Sequence, residues 1–248
     1  MKSPADPTPR HLQWNALPDA ACIGIDGARD GWVVATFSQG ALTLAMYPTI
    51  SDVVIPSPSL VLIDMPIGLP SFARRKCDAQ ARELLGSRRS TIFPVPAREA
   101  VYAESYAECC EINLRHQQCK VSKQAWNLSP KIRELDRFMQ ADQSRHEYIA
   151  EGHPELAFRA LSNPSLNITP KRTPEGKQIR REILSGMHAC LDTLVQCFLQ
   201  KHKHGVDVTD AFDAIALCML LARSHGRVSF VGDGSIDDSG APQRICIG

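Results

Sequence analysis

A chain of 248 residues, 44% of them hydrophobic, can bury a sizeable core, which excludes a wholly disordered protein. No segment approaches the roughly 18 consecutive apolar residues that a membrane helix needs, so no membrane partner is expected. The formal net charge of +1 is unevenly spread: residues 65–145 carry 14 basic and 9 acidic side chains, against 3 and 6 in residues 1–64. That basic middle third suits either a polyanionic partner or an ordinary solvated helical surface.

Residues 1–19 are rich in Pro and polar side chains and hold no apolar run. They read as a disordered N-terminal tail rather than a secretory signal, which leaves a cytoplasmic protein as the expectation. Residues 20–248 then read as a single domain. Three strand-like segments open it: Ala21 to Asp26, Trp32 to Phe37 and Ala41 to Tyr47. The turn Ser38-Gln39-Gly40 predicts an antiparallel hairpin between the second and third. Ile50 to Ile55 predicts a short helix, ended by Pro56 and Pro58, and Leu60 to Asp64 a fourth strand covered on both faces.

From 65 to about 145 the pattern is helical and basic, an insertion with helices near Asp78–Leu85, Arg98–Asn113 and Pro130–Ala141. Pro130 reads as a first-turn proline. His146 to Ala150 predicts a fifth strand, followed by helices at Lys177–Leu184, His188–Lys201 and Asp210–Ala222. The last is apolar on nearly every face and must be buried. Val228–Val231 and Arg244–Ile247 read as edge strands. This order predicts an α/β fold with a mixed sheet, its first three strands antiparallel, flanked by helices. Nine cysteines without a C-x-x-C pair read as reduced core residues rather than a zinc site or disulfides.

Asp26 and Asp64 each close an apolar strand, and ligands collect at the carboxyl ends of strands in such sheets. If the two strands are parallel neighbours, the carboxylates repel unless a cation lies between them; Mg²⁺ or Mn²⁺ suits oxygen ligands best. The ordinary alternative for each is a turn Asp, favoured after a strand and before Gly. Asp210 and Asp213 share one face of the last helix at its start. The helix dipole accounts for Asp210, but Asp213 lies deeper, among apolar neighbours, and reads as a ligand. Glu155, in His153-Pro154-Glu155, reads either as a further acid near the cluster or as part of a capping turn. Arg75, Arg82, Arg88, Lys131 and Lys171 are candidates for holding a phosphate backbone, each also an ordinary surface charge taken singly. Trp126 suits base stacking or, more commonly, core packing.

The first-strand Asp26, the fourth-strand Asp64 and the late Asp210-x-x-Asp213 helix resemble ribonuclease H-like nucleases, and the last helix is similar to that of Holliday-junction resolvases. The chain from about 22 to 225 more specifically resembles the domain of unknown function 429 family, predicted nucleases. The matching pieces are Gly24-Ile25-Asp26-Gly27, Gly31-Trp32-Val33, Ile63-Asp64-Met65-Pro66-Ile67-Gly68-Leu69-Pro70 and Arg75-x-Cys77-Asp78. They continue in Ala81-Arg82, Leu85-Gly86, Phe93-Pro94, Gln124-Ala125-Trp126, Pro130-Lys131-Ile132, His153-Pro154-Glu155 and Asp210-Ala211-x-Asp213-Ala214. The stretch from Cys109 to Lys120 departs from the family pattern in being more polar and Cys-rich.

The resemblance implies a ribonuclease H-like fold and two-metal phosphodiester hydrolysis on DNA or RNA, with ions about 3.5–4 Å apart. Asp26 would bridge both ions, Asp64 and Asp213 would complete them, and Asp210 would be a weaker ligand. A non-catalytic nucleic-acid- or partner-binding module on the same fold is the alternative. A sugar-kinase-like ATPase lacks its glycine-rich phosphate loop here.

Overall fold

A computed structural model describes residues 19–162 and 168–248; the expected tail, residues 1–19, falls almost wholly outside them. The opening strands are β1 (Ala21–Ala28), β2 (Gly31–Ser38) and β3 (Ala41–Tyr47), paired antiparallel in sequence. Gln39 and Gly40 both take positive φ, 50° and 78°, the geometry a two-residue turn needs to match the strands' twist. After a single 3-10 turn at Ile50–Asp52 comes β4 (Ser59–Ile63), parallel to β1.

The insertion then runs through α1 (Lys76–Leu85), α2 (Arg98–Val101), α3 (Tyr106–Gln117) and α4 (Lys123–Gln140), with no strand among them. The single helix expected at Arg98–Asn113 is two, because Ser105 accepts a hydrogen bond from the Glu108 backbone N–H and starts α3 afresh. Pro130 does not open a helix; it lies inside α4, which starts earlier, where Ser122 caps the Ala125 N–H. Tertiary packing overrides the proline: Ala125, Ile132, Leu135 and Met139 are all buried on that helix.

The fifth strand also differs from expectation. His146 belongs to a 3-10 turn, Gln143–Glu147, and β5 is Ile149–Gly152. Next come α5 (Pro154–Leu161), α6 (Pro174–Ser185), α7 (Leu191–Lys201) and α8 (Val208–Arg223), then β6 (Phe230–Val231) and β7 (Ile245–Cys246). The seven strands form one sheet, in the order β3-β2-β1-β4-β5-β7-β6. Of the two strands expected at an edge, β6 is one, opposite β3 at the other end of the sheet, whereas β7 lies inside, parallel to β5.

Alternation along the strands sends side chains to two cores. Cys22, Leu60, Leu62 and Ala150 face one, built with α5 to α8, while Ile23, Ile25, Val61, Ile63 and Ile149 face the other, closed by Ile132 and Leu135 of α4. The sheet is thus covered on both sides, as its apolar strands require. Among the described residues no helix is long and apolar enough to cross a membrane. All nine cysteines are free thiols, and Cys22, Cys77, Cys109, Cys110, Cys218 and Cys246 are buried.

Candidate metal centre

The β1–β4 register ends at Ile25 opposite Ile63, and the Asp64 N–H donates to the Ile25 carbonyl at 2.8 Å. Asp26 and Asp64 therefore occupy equivalent positions just past the paired segment. By strand alternation both project on the face that carries Leu62 and α8. α8 comes close to β1 because the strand offers no side chain at Gly24. A Cβ there would lie 2.0 Å from the Ala214 carbonyl oxygen and 2.5 Å from the Cys218 nitrogen. That contact sets Asp213, one residue before Ala214, over the strand ends. Ligand oxygens of Asp26, Asp64 and Asp213 consequently lie within 4.8 Å of one another.

Two of these acids are deeply buried, with Asp213 at 0% exposure. Burial, with Asp64 and Asp213 as like-charged neighbours, pushes the Asp26 carboxyl well above the usual carboxylate range. Burial likewise pushes Asp213 up to about 7, against the opposing pull of Lys171. The Lys171 ammonium donates to Asp213 Oδ2, while Asp213 Oδ1 is buried with no hydrogen-bond partner. A buried carboxylate oxygen without a donor is costly, and a cation or a donor beside it would relieve that cost. The donor set is oxygen only, which fits Mg²⁺ or Mn²⁺ rather than a soft metal.

The remaining sequence-predicted residues have other places. Asp210 lies outside the group of three: its carboxylate accepts from the Asp207 N–H at 2.8 Å and closes a capping box at the start of α8. It still lines the same cleft. Glu155 sits in the first turn of α5, behind His153 at the N-cap, so the capping-turn reading fits the backbone. Its Oε1 accepts from Arg88 at 2.9 Å and from the fully buried Arg180 at 2.7 Å. Those two cations account for its charge, and the carboxylate forms the cleft wall without joining the triad.

The candidate phosphate ligands divide similarly. Arg75 is 2% exposed and its guanidinium bonds Glu151, Asp78 and the Ile67 carbonyl, so it offers no free cation to a phosphate. A buried charge must be paired, and this pairing fastens the loop after β4 to β5 and α1. Arg82 donates to the Ile92 carbonyl and is not among the residues lining the cleft. Nor is Lys131, whose Nζ donates to the Gly31 carbonyl at 2.8 Å and stands 4.4 Å from the Trp32 ring centroid. Arg88 and Lys171 do line it, and so does Arg75, with its charge already paired. Trp126 packs near Tyr106, with ring centroids 6.2 Å apart, beside the small core of α2, α3 and α4.

The cleft holding the triad encloses about 550 Å³ and also includes Phe93, Gln124, Arg172 and Glu151. Arg172, exposed at its wall, was not among the sequence candidates, although the doublet Lys171-Arg172 was a usable signal. Glu151 and Arg180 were missed too. A charged residue at the end of an apolar strand was the available hint for Glu151; for Arg180 the sequence offered none.

The family described as "Protein of unknown function (DUF429)" matches residues 24–235 of the chain. No curated protein and no solved structure matches it.

Proposed function

The chain belongs to the DUF429 family, and from that premise we propose that it is a metal-dependent nuclease or phosphodiesterase on a ribonuclease H-like fold. The antiparallel β1–β2–β3 run, continued through β1 into parallel β4 and β5, supports the fold reading. The observation that carries the function is the convergence of Asp26, Asp64 and Asp213, with one Asp213 oxygen buried and bare. These three carboxylates hold Mg²⁺ or Mn²⁺. A bound cation supplies Lewis-acid polarisation of a phosphoryl oxygen and offsets the negative charge that develops there.

The chain's own groups do the positioning. α8 is buried from Ala211 to Leu221 and cannot yield, so Asp213 is held rigidly against the strand ends. Lys171 and Arg172 flank the acids at the cleft and suit the phosphates of DNA or RNA, giving affinity without reading sequence. Arg88, tethered to Glu155, faces the same space.

The test is cleavage of labelled single-stranded, duplex and branched oligonucleotides by the purified chain with Mg²⁺ or Mn²⁺. Cleavage that disappears with a chelator and in Asp26→Asn is the expected result. A protein that binds neither cation and is unchanged by Asp26→Asn ends the proposal. Salt-dependent nucleic-acid binding that survives Asp26→Asn, with no cleavage, assigns the binding-module role instead.

A further inference from the structure

A second hollow, of about 620 Å³, opens between the loop after β4 and helices α2, α3 and α4, and it shares no lining residue with the acidic cleft. Phe72 stands in it 71% exposed. An aromatic ring left so open forgoes the burial that would stabilise it. Yet this ring is not loose: it stacks on His116, with centroids 5.1 Å apart and planes 19° from parallel. His116 is itself tethered at both nitrogens, Nδ1 lying 3.0 Å from the Ser71 carbonyl oxygen and Nε2 2.8 Å from Glu99. The stack therefore holds one bare aromatic face in a fixed orientation.

The charges around that face are unequally committed. Arg98 is spent on Asp136 and Asp237, each at 2.5 Å, and Asp136 also accepts from the Tyr102 hydroxyl and the Gln140 amide. Glu99 holds His116, and Asp238 accepts from the Ser71 hydroxyl. Arg137 differs. It is exposed, its guanidinium lies 5.4 Å from the Tyr102 ring centroid, and it has no carboxylate partner among the described residues. A flat ring to cover and a free cation beside it match the two halves of a nucleotide, the base that stacks and the phosphate that pairs. A nucleobase edge also offers donors and acceptors to Gln140 and Glu99 at the rim, which a hydrocarbon ring would leave unmet. We propose that this hollow is a nucleotide-binding site separate from the metal centre, with the base stacked on Phe72 and the phosphate paired with Arg137. A free mononucleotide and one unit of a single strand offer it the same chemistry.

The test titrates the full chain, in chelator, with adenosine 5′-monophosphate and adenosine by calorimetry, and with a labelled single-stranded oligonucleotide by fluorescence anisotropy. Phe72→Ala is expected to weaken nucleotide binding about tenfold or more, the usual effect of removing an aromatic platform. Arg137→Met is expected to bring the monophosphate down to the affinity of adenosine. Losses in the monophosphate titration assign the site to a free nucleotide; losses with the oligonucleotide alone assign it to a base within a strand. No binding of either probe by the wild type, or binding that Phe72→Ala or Arg137→Met leaves unchanged, overturns the proposal. Both side chains are exposed and lie outside the acidic cleft, and every titration is metal-free, so the metal-dependent reading stands or falls separately.

Discussion

Replacing Asp26 with Asn is expected to stabilise the metal-free protein while abolishing its response to Mn²⁺. Its ligand oxygen lies within 4.8 Å of those of Asp64 and Asp213, so each ionised pair repels by about 3.5 kcal/mol at an effective dielectric of about 20. The Asn variant removes two such repulsions and loses one attraction, that of Lys171, which is among the charges acting on Asp26. The wild type relieves part of the strain by retaining a proton, since burial and the two acids hold Asp26 well above its ordinary range. A net gain of about 1–3 kcal/mol remains, and at roughly 2–4 °C per kcal/mol for a chain of this length the melting temperature rises by about 2–12 °C. The assay is thermal melting at pH 8, in chelator and in Mn²⁺. At a hundredfold excess over Kd the wild type gains about 2.7 kcal/mol from the ion, and Asp26→Asn gains nothing. A variant that melts lower than the wild type in chelator, or keeps the Mn²⁺ shift, refutes the reasoning.

Gly24→Ala drives a Cβ to 2.0 Å from the Ala214 carbonyl; a destabilisation of about 1–3 kcal/mol and a weaker Mn²⁺ affinity are expected together, read by urea melts and calorimetry. Arg75→Met leaves Glu151 and Asp78 buried without their cation and should cost about 3–5 kcal/mol, seen as a lower urea midpoint with unchanged slope. Asp237 fastens the C-terminal loop, accepting from the Leu69, Ser239 and Ala241 N–H groups and from Arg98. Burial pushes its carboxyl up, but these donors prevail and hold it below its ordinary value of 3.8. A depressed folded value means the stabilisation is present above about pH 4 and lost as pH falls through the folded value. Urea midpoints measured from pH 5 to pH 3 should therefore fall less steeply in Asp237→Asn than in the wild type.

The strands and their terminal acids were legible because the relevant forces are local. β1 to β4 are short apolar runs broken by Gly, Pro or charged residues, and β3 emerged at its full extent, Ala41–Tyr47. The last helix was legible for a similar reason: a run from Ala211 to Leu221 with a single acid inside it has no stable place except against a sheet. Asp213 stood out as a charged residue in that run. α5 was not legible as a helix, since Pro154-Glu155 suits a turn equally well until Leu156, Ala157 and Phe158 have a core to enter.

Charge identity, by contrast, did not distinguish one arginine from another. Arg75, Arg82 and Arg88 are chemically the same residue; one borders the cleft with its charge spent on Glu151, far along the chain, one bonds the Ile92 carbonyl, and one pairs with Glu155 at the cleft wall. The sequence alone determined the opening strands, the last helix and the acids that end β1 and β4, because hydrophobic periodicity and turn chemistry act over a few residues. Only the tertiary structure decided that Asp26, Asp64 and Asp213 meet, that Asp210 caps its helix instead, and that Lys171 joins them. Those contacts depend on the absent side chain at Gly24 and on how closely α8 settles on β1, and no local pattern encodes that distance.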